Sequence, residues 1–223
     1  WGAWTQFRKV LLIAGAKPLV ADLGGMSPFA KLIIDGRWDE AISLVEGRER
    51  AYRPPHEVKE KISQAIAQRA LSALAKVATA ATEASEMLDD LKALAPVLGY
   101  GALAEILNQP MRKGPSLFVR MIQYELPIAV LQKAVEVGAS FLTAHRYSIN
   151  DASAPDAAPF HAAVATSNPR IISFALRHTG GWDLNHPVGA DRYGPLHLLY
   201  LHKGPMNMEA ARILLDSGAD PYA

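Results

Sequence analysis

The chain offers seven histidines as candidates for metal binding or acid–base chemistry. No His-Glu-x-x-His sequence places two histidine ligands and a glutamate base on one helix face. His197 and His202 are five residues apart, which is a poor spacing for two ligands on one face of a helix. The chain has no cysteine, so thiolate ligands, disulfides and cysteine nucleophiles are excluded. We therefore expect no metal site in this chain.

One glycine-rich segment has the spacing of a dinucleotide-binding loop. The sequence GYGALA (99–104) matches the fingerprint whose glycines let the backbone approach a pyrophosphate. No convincing strand precedes it and no βαβ unit surrounds it, so we interpret it as a turn between two helices. A GxxxxGK phosphate loop and a GxSxG nucleophile elbow are absent from the sequence. We expect no cofactor and no catalytic residue, which favours a non-catalytic protein.

The charges also limit the classes of partner. The chain has 23 basic and 22 acidic residues, and this balance argues against a general nucleic-acid binder. No apolar run is long enough to predict a membrane span. The first predicted helix (1–17) is aromatic and basic, which resembles a calmodulin target, but we favour the interpretation that this helix packs against the rest of the chain. We interpret the cluster Arg48, Arg50 and Arg53 as a solvated loop in preference to an anion site.

The elements around these residues are helical. Apolar residues recur every three or four positions, strand signals are almost absent, and we predict an all-α protein. The sequence pattern of residues 32–47 predicts two short antiparallel helices with a hinge at Asp35-Gly36. The pattern over 57–95 predicts long helices with a break near Thr79–Thr82, ended by Pro96 and Gly99. A short helix over 101–108 follows.

Three segments in the second half of the chain end alike. These are VGASFLT (137–143), GGWDLNH (180–186) and SGADPYA (217–223), and each follows an apolar helical stretch. Two units also open alike, with APFHAAV (158–164) and GPLHLLY (194–200). Such self-similarity is the signature of a repeat protein.

The repeat resembles the ankyrin repeat, a β-turn finger followed by two antiparallel helices. The last unit matches it at Pro195, Leu196, His197, Leu214, Leu215, Gly218, Ala219 and Asp220. The middle unit matches it at Pro159, Phe160, His161, Leu176, Gly181, Asp183 and Asn185. The earlier unit matches it only at Pro115, Leu131, Gly138 and Ala139, and residues 27–47 form a degenerate unit.

The resemblance implies an all-α ankyrin-type solenoid with an N-terminal and central helical extension. We divide the chain into a helical region over 1–113 and about three repeats over 114–223. In such repeats the histidine hydrogen-bonds to the backbone of a neighbouring loop, and the glycine ends the second helix in a left-handed conformation. Two departures are specific to this chain: Trp182 stands at a small-residue position, and the loop 144–157 is longer than an ordinary finger.

Ankyrin proteins usually bind partners with their finger tips and first helices. By this resemblance we expect the partner-binding residues to be Arg146, Tyr147, Asp156, Thr166, Ser167, Trp182, Arg192, Tyr193, His202 and Lys203.

Three functional interpretations remain open. The first is a module that recognises another protein through its repeats. The second is the targeting part of a larger bacterial effector that acts on a host protein, since the architecture is similar to that of arginine ADP-riboxanase effectors. The third is a dimer formed through helices of 57–110. The first implies a cytoplasmic protein and the second secretion into a host cytoplasm. Because the chain opens on Trp1, we expect it to be a fragment.

Overall fold

The computed structural model describes residues 19, 26–46, 52–76, 79–111, 114–143, 158–180, 183–187, 193–201 and 207–222. In this part of the chain the regular structure is almost entirely helical. The helices are α1 (Pro28–Ile34), α2 (Trp38–Val45), α3 (His56–Ala75), α4 (Ala80–Leu98), α5 (Tyr100–Asn108), α6 (Leu117–Gln123), α7 (Ile128–Val137), α8 (Pro159–Ala165), α9 (Pro169–Arg177), α10 (Pro195–Tyr200) and α11 (Met208–Asp216). A short antiparallel ribbon, β1 (Pro110–Met111) and β2 (Gly114–Ser116), connects α5 to α6. The predicted helix over 1–17 lies outside the described residues.

The helices pack as five pairs in two rows. The first-helix row is α1, α3, α6, α8 and α10, and each of these helices contacts the next one in the row. The second-helix row is α2, α4, α7, α9 and α11, which contact one another in the same order. Helix α5 stands outside both rows and packs against α4, α6 and α7.

The helices of 57–110 belong to the stack. Helix α3 lies between α1 and α6, and α4 lies between α2 and α7. The predicted break between them is confirmed, because α3 ends at Ala75 and α4 begins at Ala80. Pro96, which we expected to end the segment, lies inside α4, and the helix ends at Gly99, whose φ is +86°. The division of the chain at residue 113 stays a prediction, since helices on both sides of the ribbon pack together.

Similar turns join the two helices of a pair. Gly36, Glu125 and Ser167 occupy equivalent places after α1, α6 and α8, and their φ angles are +74°, +50° and +56°. The hinge predicted at Asp35-Gly36 is thus confirmed. The positive φ reverses the chain within a few residues, so the second helix runs back against the first.

The second helices of the last two pairs begin with asparagine caps. Asn168 Oδ1 accepts from the backbone N–H of Arg170, and Asn207 Oδ1 accepts from that of Glu209, both at 3.1 Å. These bonds satisfy amide groups that the first turn of a helix leaves unpaired.

Aromatic rings fill the core between neighbouring pairs. The rings of Phe118 and Phe141 lie 4.8 Å apart, and those of Phe141 and Phe174 lie 5.7 Å apart, in edge-on contacts. All three side chains are almost completely buried. The chain of rings therefore joins the third pair to the fourth, as expected where each unit buries its apolar face against the next.

Candidate protein-binding surface

Two of the predicted binding residues form the turn between α8 and α9. Thr166 Oγ1 donates to the carbonyl of Ala163 at 2.7 Å and accepts from the backbone N–H of Asn168 at 3.2 Å. Ser167 is 7% exposed, and its carbonyl accepts a bond of 3.2 Å from Asn207 Nδ2 in the following pair. The structure thus uses both residues to shape a turn and join two units, and their part in binding stays a prediction.

Tyr193 lies just before α10 and is half-buried against the core. Its ring centroid is 6.1 Å from that of His197, which is exposed. The other predicted binding residues lie outside the described part of the chain. They are Arg146, Tyr147, Asp156, Trp182, Arg192, His202 and Lys203.

The histidine of the fourth pair joins two units, as the repeat implies. His161 is completely buried; its Nδ1 accepts from the N–H of Ala158 at 3.1 Å, and its Nε2 lies 3.2 Å from the carbonyl of His186. A neutral imidazole with its proton on Nε2 satisfies both contacts. Burial lowers the pKa of His161 from 6.5 to about 4. His161 is therefore a structural histidine.

Asparagine side chains make a second set of ties between units. Asn108 Oδ1 accepts from the N–H of Ser140 at 2.9 Å, and Asn185 Oδ1 accepts from that of Asp220 at 2.7 Å. Asn108 also donates to the carbonyl of Gly138 at 2.9 Å. The match to the ankyrin repeat includes Asn185 but does not include Asn108. The sequence signal for Asn108 is its position at the end of the predicted helix, two residues before Pro110.

The glycines that end the second helices differ between units. Gly138 after α7 and Gly218 after α11 have φ angles of +116° and +98°, as the repeat implies. After α9 the left-handed residue in the described chain is Gly180, with φ +48°, one place before the Gly181 of the sequence match. Gly181 lies outside the described residues. The middle unit thus leaves its helix by a different turn.

A groove runs along one face of α3. Eight α3 residues line it between His56 and Leu71, each three or four positions from another, opposite Glu105 and Ile106 of α5. It encloses about 900 Å³ and is open to solvent. The ion pair of Lys59 Nζ with Glu105 Oε2, at 2.5 Å, connects its two sides.

Two further features adjoin this groove. Arg120 of α6 lines it, and the Nε of Arg120 is buried without a hydrogen-bond partner. An apolar pocket of about 250 Å³ shares Lys59, Ser63 and Ile106 with the groove. The groove, the pocket and Arg120 thus form one surface, which we call the α3 groove.

The described residues contain no group of three or more histidine or acidic side chains placed to hold a metal ion. Nor does any helix in this part of the chain combine the length and apolar character that crossing a bilayer requires.

The fold of this chain resembles that of a solved structure. No protein-family model matches the chain, and no curated protein matches it. Among solved structures, the chain is similar to the ankyrin repeat domain of Bcl-3, described as a unique member of the IκB protein family. The TM-score is 0.51 at 18% identity, and the match covers 96% of this chain and 80% of that one. The expected fold class, an all-α ankyrin-type solenoid, is confirmed, whereas the long helices α3 and α4, which we expected to form a helical extension, are part of the stack.

Proposed function

We propose that this chain is a protein-binding module that recognises another protein through its first-helix row and the adjoining turns. The observation that carries the proposal is the stack of five helix pairs, tied from unit to unit by buried or capping side chains. Such a stack holds an extended surface in a fixed arrangement, so little conformational entropy is lost when a partner binds.

Tyr193 and Arg192 are the residues we nominate first for contact with the partner. They are adjacent in the sequence and precede α10, the final helix of the first-helix row. An ankyrin-type unit carries its finger at this place. Tyrosine and arginine are the residue types enriched among those that dominate binding energy. The other binding residues predicted above, including Trp182 and the loop 144–157, belong to the same proposal.

The test is capture of proteins from an extract by the immobilised chain. We expect the double substitution Tyr193→Ala with Arg192→Ala to remove proteins that the unchanged chain captures, because hot-spot truncations each cost about 2 kcal/mol or more. Captured proteins would be compared by quantitative mass spectrometry.

A matched control is Arg170→Gln, an exposed arginine of α9 in the other row, which should leave capture unchanged. Equal capture by the double variant would contradict the proposed surface. Capture no better than that of bare beads would contradict the proposed function.

A narrower form of the proposal is that the module directs a larger bacterial effector enzyme to a host protein. The support is architectural: divergent ankyrin-type units with long central helices resemble the repeat regions of such effectors. The test is NAD consumption with host-cell extract by the parent protein and by this chain alone. Turnover by the parent only would support it, and inactivity of both would contradict it.

A further inference from the structure

The α3 groove has an uncompensated positive charge. Arg120 makes no hydrogen bond or ion pair with any described residue, and its buried Nε has given up water without gaining a partner. Its Nη2 lies only 3.0 Å from where a Cβ on Gly114 would stand, so the backbone at Gly114 packs against the guanidinium. A carboxylate is a partner that a guanidinium binds well, through two parallel hydrogen bonds.

The other charges of the groove do not supply that carboxylate. Glu105 is paired with Lys59, which holds the pKa of Glu105 below its ordinary value. Glu60 is exposed and forms no ion pair with a described residue, and Arg53 of the adjoining pocket is likewise without an ion pair among the described residues. Among the described residues of the groove and its pocket, the three cations Arg53, Lys59 and Arg120 outnumber the two anions Glu60 and Glu105, so this surface has an excess of one positive charge.

Neutral hydrogen-bonding side chains line the floor. Ser63, Gln64 and Gln68 follow one another along the groove face of α3, and Gln109 stands across from them. A glutamine amide both donates and accepts, which suits the alternating N–H and C=O groups of an extended peptide. A helical ligand would have those groups already paired.

The length of the groove agrees with a short extended segment. From His56 to Leu71 the helix rises about 22 Å, at 1.5 Å per residue. An extended chain of about seven residues covers that distance. The adjoining pocket is lined by Tyr52, Leu98, Leu103 and Ile106, so it suits one large apolar side chain.

From these features we infer that the α3 groove binds an extended peptide segment of the partner protein. An apolar side chain of that segment fills the pocket beside Ile106, and an acidic side chain pairs with Arg120. The inference rests on the proposed protein-binding function and names the chemistry of the bound segment.

The test uses fluorescein-labelled peptides of about seven residues, built from glycine and serine. Every peptide has one leucine near its N-terminus, and the peptides differ in which later position carries a glutamate. For each of them, a matched peptide has glutamine in place of the glutamate. We expect at least one glutamate peptide to bind about tenfold more tightly than its glutamine version, by fluorescence anisotropy. Arg120→Gln should abolish that preference, and Arg120→Lys should keep part of it, because lysine retains the charge but not the two-bond geometry.

Arg170→Gln is again the control and should bind like the unchanged chain. Circular dichroism of each variant checks that it is folded, and Arg120→Lys keeps the test informative if Arg120→Gln unfolds. Absence of binding by every peptide would overturn the inference, as would a glutamate preference that persists in folded Arg120→Gln. If light scattering shows a dimer that Arg120→Gln dissociates, the groove holds a second copy and the inference fails. The capture experiment with Tyr193→Ala and Arg192→Ala tests the protein-binding function separately. If that experiment gives the expected loss of captured proteins while the peptide test fails, only the inference about the groove is refuted.

Discussion

His161 and His197 stand at the same place in consecutive units and have opposite surroundings. His161 is buried and bonded to the loop of the next unit, whereas His197 is exposed. The structural role that the repeat implies for both residues therefore holds for His161. The imidazole nitrogens can form hydrogen bonds in either unit. A histidine links two units only where a carbonyl of the next unit lies close to it and water is excluded.

The burial of His161 predicts a pH-dependent stability. Its pKa is about 4 in the folded chain and about 6.5 when unfolded. Between these values the unfolded chain takes up a proton that the folded chain refuses, so this residue lowers stability as the pH falls from 6.5 towards 4. We expect the unchanged chain to lose about 2 kcal/mol more than His161→Gln between pH 6.5 and 4.5, measured by urea unfolding.

The exposed His197 provides the comparison for this experiment. His197→Gln should follow the pH dependence of the unchanged chain, because the side chain of His197 is exposed, unlike the buried His161. The interpretation of His161 fails if His161→Gln loses as much stability on acidification as the unchanged chain.

At the scale of elements, α5 depends on the turn after α7. A Cβ added at Gly138 would lie 2.8 Å from Cβ and 3.2 Å from Cα of Ala104 in α5. The helix therefore approaches the turn more closely than a side chain allows. Asn108 fastens the same contact by donating to the carbonyl of Gly138.

This contact predicts unequal effects of one substitution at two similar turns. Gly218→Ala meets open space, so it should cost about 1 kcal/mol for its positive φ alone. Gly138→Ala has the same backbone cost and also displaces α5, so we expect a loss of about 2 to 4 kcal/mol in urea unfolding. Equal losses of unfolding free energy for Gly138→Ala and Gly218→Ala would show that α5 can shift away from the added methyl group at no cost.

At the scale of the whole molecule, each helix pair contacts the pairs beside it in the stack. Helices α10 and α11 pack against α8 and α9, whereas the first pair packs against the second and the second against the third. The free energy of unfolding of such a stack is approximately the sum of the stability of each unit and of the interfaces between neighbouring units. A destabilising substitution therefore acts locally when its own unit can unfold while the rest of the chain stays folded.

This arrangement predicts a local response to a core substitution in the last pair. Leu214 is completely buried, and Leu214→Ala should cost about 2 to 5 kcal/mol. Amide hydrogen exchange should speed up in α10 and α11 and stay unchanged in α3 and α4. Equal acceleration in all four helices would mean that the chain unfolds as one unit.

Local features of the sequence predicted the elements well. Alanine-rich apolar periodicity placed α3 and α4 and the break between them, and Asp35-Gly36 marked a reversal. The paired PFH and PLH openings marked α8 and α10, because proline at the first turn of a helix is a local preference. The turn interpreted over 99–104 is confirmed only at Gly99, which joins α4 to α5, because residues 100–104 lie inside α5.

The tertiary structure decided which residues are buried, paired or left without a partner. Ser167 has the sequence of an exposed loop, yet the following pair covers it; Asn108 has no distinctive local pattern, yet it fastens α5. Pro96 lies inside α4 instead of ending it, because the buried neighbours Ala95 and Val97 hold the last turn against the core despite the hydrogen bond that proline lacks. The unpaired Arg120 is the clearest case: burial and pairing depend on residues distant in sequence that only the stack brings together.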